Sequence, residues 1–121
     1  MNFCWITLHV NNMKESLNFY HEVLGLPIHT RHGDGVNIEI VMLGEENKTK
    51  IELLYKPNDS KMPKVEGLSI GIEVKNLDEM ITYLESKQIK VIKGPFSPTP
   101  HVRFCFVKDP NGIEVQLVEA K

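Results

Sequence analysis

WITLHVNN, running from Trp5 to Asn12, returns in altered form as SIGIEVKN, from Ser69 to Asn76. In both copies apolar residues alternate with others: Ile6, Leu8 and Val10 in the first, Ile70, Ile72 and Val74 in the second. A period of two belongs to a strand buried on one face. The asparagine that ends each copy stands three residues ahead of a glutamate, Asn12 before Glu15 and Asn76 before Glu79. That spacing resembles a capping box with Asn as the cap, so each strand is predicted to lead straight into a helix.

The shift that carries Trp5 to Ser69 is 64 residues, and it continues to work along the chain without a gap. It superposes Val41 on Cys105, Leu43 on Val107, Ile51 on Val115, Glu52 on Gln116 and Leu53 on Leu117. Repeats of this length are single supersecondary units, so they set the architecture. After each cap the apolar residues fall at helical spacing, Met13, Leu17, Tyr20 and Leu24 in one copy and Leu77, Met80, Ile81 and Leu84 in the other. Gly25 and Pro27 supply a stop, a left-handed cap followed by a residue that cannot continue a helix. Strand-like runs come next, VNIEIVML and KIELLY in the first copy, VRFCFV and IEVQLV in the second, joined by polar turns at GEENK and KDPNG. A short strand at Leu26 to His29, matched by Ile89 to Ile92, completes β-α-β-β-β in each half.

The predicted fold class is therefore α+β: one domain of 121 residues made of two βαβββ modules. The modules span about 2–57 and about 67–119, with the Lys- and Pro-rich segment KPNDSKMPKVEG, about 56–66, as linker. A ferredoxin-like β-α-β-β-α-β fold is the rival, but it has one fewer strand after each helix. Each helix covers one face of its sheet. The other faces are expected to line a shared cup, with the modules paired within a chain or across a dimer.

Composition narrows the function. Apolar residues make up 41% and charged residues 25%, the balance of a soluble globular domain. A net charge of -2 gives no basic field for a nucleic-acid backbone, and no membrane partner is indicated. MNFCWITLHV lacks the positive start and apolar run of a signal peptide, so a cytoplasmic location is expected. Cys4 and Cys105 lie in apolar strand-like runs and are expected to be buried reduced thiols.

LHVNNMKESLNFYHEVLGL, IELL, IGIEVKNLDE and the ending VKDPNGIEVQLVE together resemble the vicinal oxygen chelate superfamily. Glyoxalase I, extradiol dioxygenases and bleomycin resistance proteins belong to it. The likeness covers nearly the whole chain, and the DPNG turn before an alternating strand is its most specific piece. It implies the paired-module fold with a cup, and one fold of this kind hosts many chemistries. In metal-dependent members the first and last strands of each module supply two ligands apiece. The resemblance puts those positions at Trp5 and Glu52 in the first copy and Ser69 and Gln116 in the second.

The residue types at these positions depart from the His and Glu of the family pattern. Glu52 is a carboxylate and Gln116 can offer an amide oxygen, so these two are the metal ligands if any exist. Ser69 offers a neutral hydroxyl, and the indole N–H of Trp5 can only donate. No tightly bound cofactor is expected, since a Ni, Zn, Co, Fe or Mn site in this superfamily is built from imidazole and carboxylate together. His9 shares a strand face with Trp5 and Thr7 but lies four residues, about 13 Å, along from Trp5, which displaces it from the ligand position.

Glu52 is the candidate general base for a C–H next to a carbonyl. Trp5, Thr7, His9, Ser69, Arg103 and Gln116 are the candidate ligand-binding residues. Arg103 and Glu39 are paired by the repeat, and alternation with Phe104 and Ile40, taken as helix-facing, turns both toward the cup. There Arg103 would anchor an anionic group. If both point outward instead, they are surface charges or a weak ion pair. Trp5 either stacks on a planar ligand or plugs the cup.

Three functions are compatible with these residues. The first is a glyoxalase-like protein that binds a small organic ligand with a degenerate metal site and slow or no lyase activity. The second is an active lactoylglutathione lyase acting on the hemithioacetal of methylglyoxal and a thiol. The third is a non-enzymatic regulatory module. In each, a homodimer is expected.

Overall fold

The computed structural model describes residues 1–120, which form two compact units, 1–63 and one beginning at Lys64. In the first unit β1 (Trp5–His9) runs into α1 (Met13–Leu17), and the helix continues as a π-helical turn through Asn18–Val23. Three strands follow, β2 (Ile28–Gly33), β3 (Glu39–Leu43) and β4 (Lys50–Tyr55). The second unit repeats the order with β5 (Ser69–Glu73), α2 (Leu77–Ser86), β6 (Lys93–Thr99), β7 (Val102–Lys108) and β8 (Glu114–Ala120). The result is two four-stranded mixed sheets, β1-β4-β3-β2 and β5-β8-β7-β6. These are the two βαβββ modules that the repeat predicts.

The repeat extends to register. Trp5 pairs with Lys50 in the parallel β1–β4 ladder, and Ser69 pairs with Glu114 in the parallel β5–β8 ladder. Glu39 opposite Tyr55 is matched by Arg103 opposite Glu119 in the antiparallel ladders. In both modules the first and last strands are therefore neighbours. A side-chain period of two then aligns alternate residues of each pair on one face.

Both helix starts are built as their sequences require. The side chain of Asn12 accepts the Glu15 N–H at 3.0 Å, and Asn76 accepts the Glu79 N–H at 3.0 Å. Each cap residue is extended, and its oxygen satisfies a donor that has no partner within the helix. The first helix ends at Gly25, whose φ of +80° is the left-handed conformation that glycine adopts without penalty. Leu26 N–H can then return to the carbonyl of Tyr20 at 3.0 Å. One face of each sheet packs under its own helix. Leu8, Tyr20, Val41, Leu43 and Leu53 are buried in the first unit, and Leu77, Leu84, Cys105, Val107, Val115 and Leu117 in the second.

Four expectations need correction. The strand placed at Leu26 to His29 is observed at Ile28–Gly33, because the residues after Gly25 are used in leaving the helix. Its counterpart at Ile89 to Ile92 is observed at Lys93–Thr99 for the same reason: Ile89 N–H still bonds the Leu84 carbonyl at 2.9 Å. The start of VNIEIVML is a turn, since Asp34 Oδ1 accepts the N–H groups of Val36, Asn37 and Ile38. Cys4 is exposed and precedes β1, whereas Cys105 is buried in β7 and burial raises its thiol pKa.

Candidate functional site

Register decides which side chains meet. In the first unit Thr7 stands opposite Glu52 in the β1–β4 ladder, and the Thr7 hydroxyl donates to Glu52 Oε1 at 2.7 Å. Met42 faces Glu52 from the other side, in β3. The row Thr7, Glu52 and Met42 thus lies on the face opposite the buried Leu8, Leu53 and Val41. Trp5 and His9, two residues on either side of Thr7, share that face by the strand period. Trp5 is 50% exposed, so its indole presents a flat apolar surface on the same strand face as the carboxylate.

In the second unit Gln116 Nε2 donates to the Ser69 hydroxyl at 2.9 Å. Gly71 and Phe106 flank Gln116 in the ladder, so the position matching Thr7 carries no side chain. The structure therefore brings Thr7 to Glu52 and Ser69 to Gln116, each within its own unit.

Arg103 lies elsewhere. It shares the helix side of the second sheet with Cys105 and Val107, and its guanidinium forms a forked pair with Asp78 of α2 at 3.0 and 3.3 Å. The hydrogen bond and charge of Asp78 hold the Arg103 pKa above its ordinary value. Glu39 is likewise on its helix side, paired with Arg31 at 3.2 Å. The assignment of Phe104 and Ile40 as helix-facing is thus inverted. In β7 the buried residues are Cys105 and Val107, and in β3 they are Val41 and Leu43.

With the phase of β7 corrected, a feature of the Gln116 face emerges that alternation had hidden. Phe104 and Phe106 project on that face, with ring centroids 5.8 Å apart, and Phe96 of β6 stands 5.7 Å from Phe104. The ammonium of Lys93 sits 4.5 Å from the centre of the Phe106 ring. The signal was present in the sequence as FxF within VRFCFV, but the other phase of that run also holds two apolar residues, Cys105 and Val107.

Neither unit by itself presents the imidazole and carboxylate combination that transition-metal ions favour at these positions. The first unit offers an indole at Trp5 and a carboxylate at Glu52, and the second a hydroxyl at Ser69 and an amide at Gln116. Glu52 already accepts from Thr7, and the amide of Gln116 is directed at Ser69. Among the described residues, no three His, Cys, Asp or Glu side chains cluster as a metal site. His101 is in the turn before β7, its N–H on the Thr99 hydroxyl, and His21 Nδ1 is 2.7 Å from the Leu26 carbonyl. His29 and His32 are exposed on β2.

The family model for the glyoxalase/bleomycin resistance protein/dioxygenase superfamily matches residues 3–117. The chain belongs to that superfamily. Solved structures of glyoxalase-fold proteins agree. The trypanothione-dependent glyoxalase I of Leishmania major superposes with a TM-score of 0.83 at 21% identity, over 98% of this chain and 86% of that one. A glyoxalase family protein from Bacillus cereus gives 0.81 at 17% identity, over 97% and 92% of the two chains. TnmS3, an antibiotic-binding protein from a Streptomyces species, gives 0.75 at 19% identity, over 100% and 97%. At such identities the likeness shows the shared fold alone. Among curated proteins, none matches the chain. Superfamily members often bind divalent metals.

Proposed function

We propose that this superfamily member binds a small organic molecule through the strand-face positions Trp5 and Glu52 of the first unit, with Ser69 and Gln116 as the matching binding positions of the second. It does so without a tightly held metal, and with slow or no lyase turnover through Glu52. The observation that carries this reading is the half-exposed indole of Trp5 on the same face as the Thr7–Glu52 pair. Trp5 offers a stacking wall, Glu52 an acceptor for a ligand N–H or O–H, and His9 and Thr7 further polar contacts on the same strand. Glu52 is also the candidate base for taking a proton from carbon. Without a metal to stabilise an enediolate, such a step lacks its main electrostatic support.

The test is calorimetric titration of chelator-stripped protein with Ni, Zn and Co, beside Glu52→Ala. No saturable binding is the expected result. Binding at one ion per chain that disappears in the variant overturns the metal-free reading. It would favour a lyase of the glyoxalase I type, to be checked as lactoyl-thioester formation from preformed hemithioacetal. Quenching or enhancement of Trp5 fluorescence by planar ligands, lost in Trp5→Leu, is the positive counterpart. The same reading takes the protein to be a cytoplasmic homodimer, and a monomer mass by light scattering at micromolar concentration would count against that state.

A further inference from the structure

The second unit carries a row of rings that ends among cations. Phe104, Phe106 and Lys108 succeed one another on one face of β7, at intervals of about 7 Å along the strand. Phe96 widens the row from β6 and is 46% exposed. At the Lys108 end lies a hollow of about 440 Å³, bordered by Phe106, Ser69, Lys64, Lys93 and Lys108. Glu66 and Glu114 also border it, and Lys93 is paired with Glu114 at 2.9 Å. Lys64 and Lys108 make no ion pair among the described residues. The hollow therefore keeps two lysines in excess of its one internal pair, opposed by Glu66 alone.

We propose that the second unit selects a planar aromatic ligand bearing an anionic group, its rings on Phe96, Phe104 and Phe106 and its anion at Lys64 and Lys108. Phe96 is exposed and Phe104 and Phe106 are half-buried, and the ring surface they leave open attracts flat rings by dispersion and edge contacts. A carboxylate at one end of a fused ring system spans the interval between neighbouring positions on β7, which places it within reach of the lysine ammonium groups. Ser69, at the edge of the hollow, links this patch to the Gln116 pair. The inference rests on the small-molecule reading of the chain and supplies the ligand class that the reading lacks.

Naphthoate and its neutral counterpart naphthalenemethanol separate the two parts of the claim. In calorimetric titrations of the full chain, naphthoate is expected to bind roughly fivefold more tightly, the equivalent of one modest charge contact. The Lys64→Gln, Lys108→Gln double variant should erase that gap, and both positions are exposed, so folding is not at stake. Phe96→Leu, also at an exposed position, should weaken both ligands by roughly fivefold through the lost ring contact. Amide shifts of β6 and β7 should accompany binding. Equal affinities of the two compounds, or a gap that survives the lysine variant, overturn the anionic part. Binding indifferent to Phe96→Leu, with Trp5 fluorescence still responding, overturns the aromatic platform while leaving the small-molecule reading intact. No binding of either compound together with a silent Trp5 overturns both.

Discussion

The two copies of the repeat differ in how the last strand is tied to the first. Thr7 donates to Glu52 in the first unit, and the matching position in the second is Gly71, where Gln116 turns instead to Ser69. A partly buried hydrogen bond to a charged acceptor contributes more than a neutral one. Thr7→Val should therefore lower stability by about 1 kcal/mol in urea denaturation at neutral pH. The loss should shrink when Glu52→Gln is already present, which a double-mutant cycle would read as coupling. Asp34 supplies a second prediction at this scale. Backbone N–H groups of Ile38, Val36 and Asn37 hold its pKa down to about 2. Because the folded value is depressed, the loop's ordering by Asp34 is complete above the ordinary carboxylate range near pH ~4. It is lost as pH falls through about 2. The Ile38 amide resonance should titrate with a midpoint near that value, and Asp34→Asn should abolish the transition.

Among the elements, the helices depend on their asparagine caps and the hairpin between β2 and β3 on a glycine. Asn12→Ala and Asn76→Ala each remove the acceptor for one helix-start N–H. Each should cost about 1 kcal/mol by chemical denaturation. The two losses should add, since the caps belong to different units with no shared partner. Gly33, at φ +115°, leaves no room for a side chain, because a Cβ there would lie 2.4 Å from the Ile38 carbonyl oxygen. Glu119 shows an element supported from outside itself. Its buried carboxylate, on β8, accepts the Leu77 N–H at 2.7 Å and so braces the start of α2. Nothing in the local sequence of α2 announces that brace, because it arrives from a strand 42 residues away.

For the molecule as a whole, two modules with one register carry the superfamily fold. No helix among the described residues is long and apolar enough to cross a membrane. If the donor set holds no ion tightly, prolonged chelation should leave the thermal unfolding midpoint unchanged, and added Ni or Zn should not raise it. A midpoint that climbs with ion concentration would reveal a ligand bound by the native state, by mass action.

By themselves, the residues of this chain determined the repeat, the element order, both helix caps and the positions of the last strands. Those features are written in local periodicity, capping chemistry and glycine placement, which act over a few residues. The same pattern placed Glu52 on the face away from its helix, because Ile51 and Leu53 leave alternation no other choice. Tertiary structure alone decided the side taken by Arg103, Glu39 and Phe104. In VRFCFV both phases are apolar enough to be buried, so the choice passed to what α2 offers: Asp78 for the guanidinium, and a covering helix for Cys105 and Val107. The rings left on the other face became the row that borders the lysines. A local pattern shows that a strand has two faces, and only packing against a distant helix assigns which face is covered.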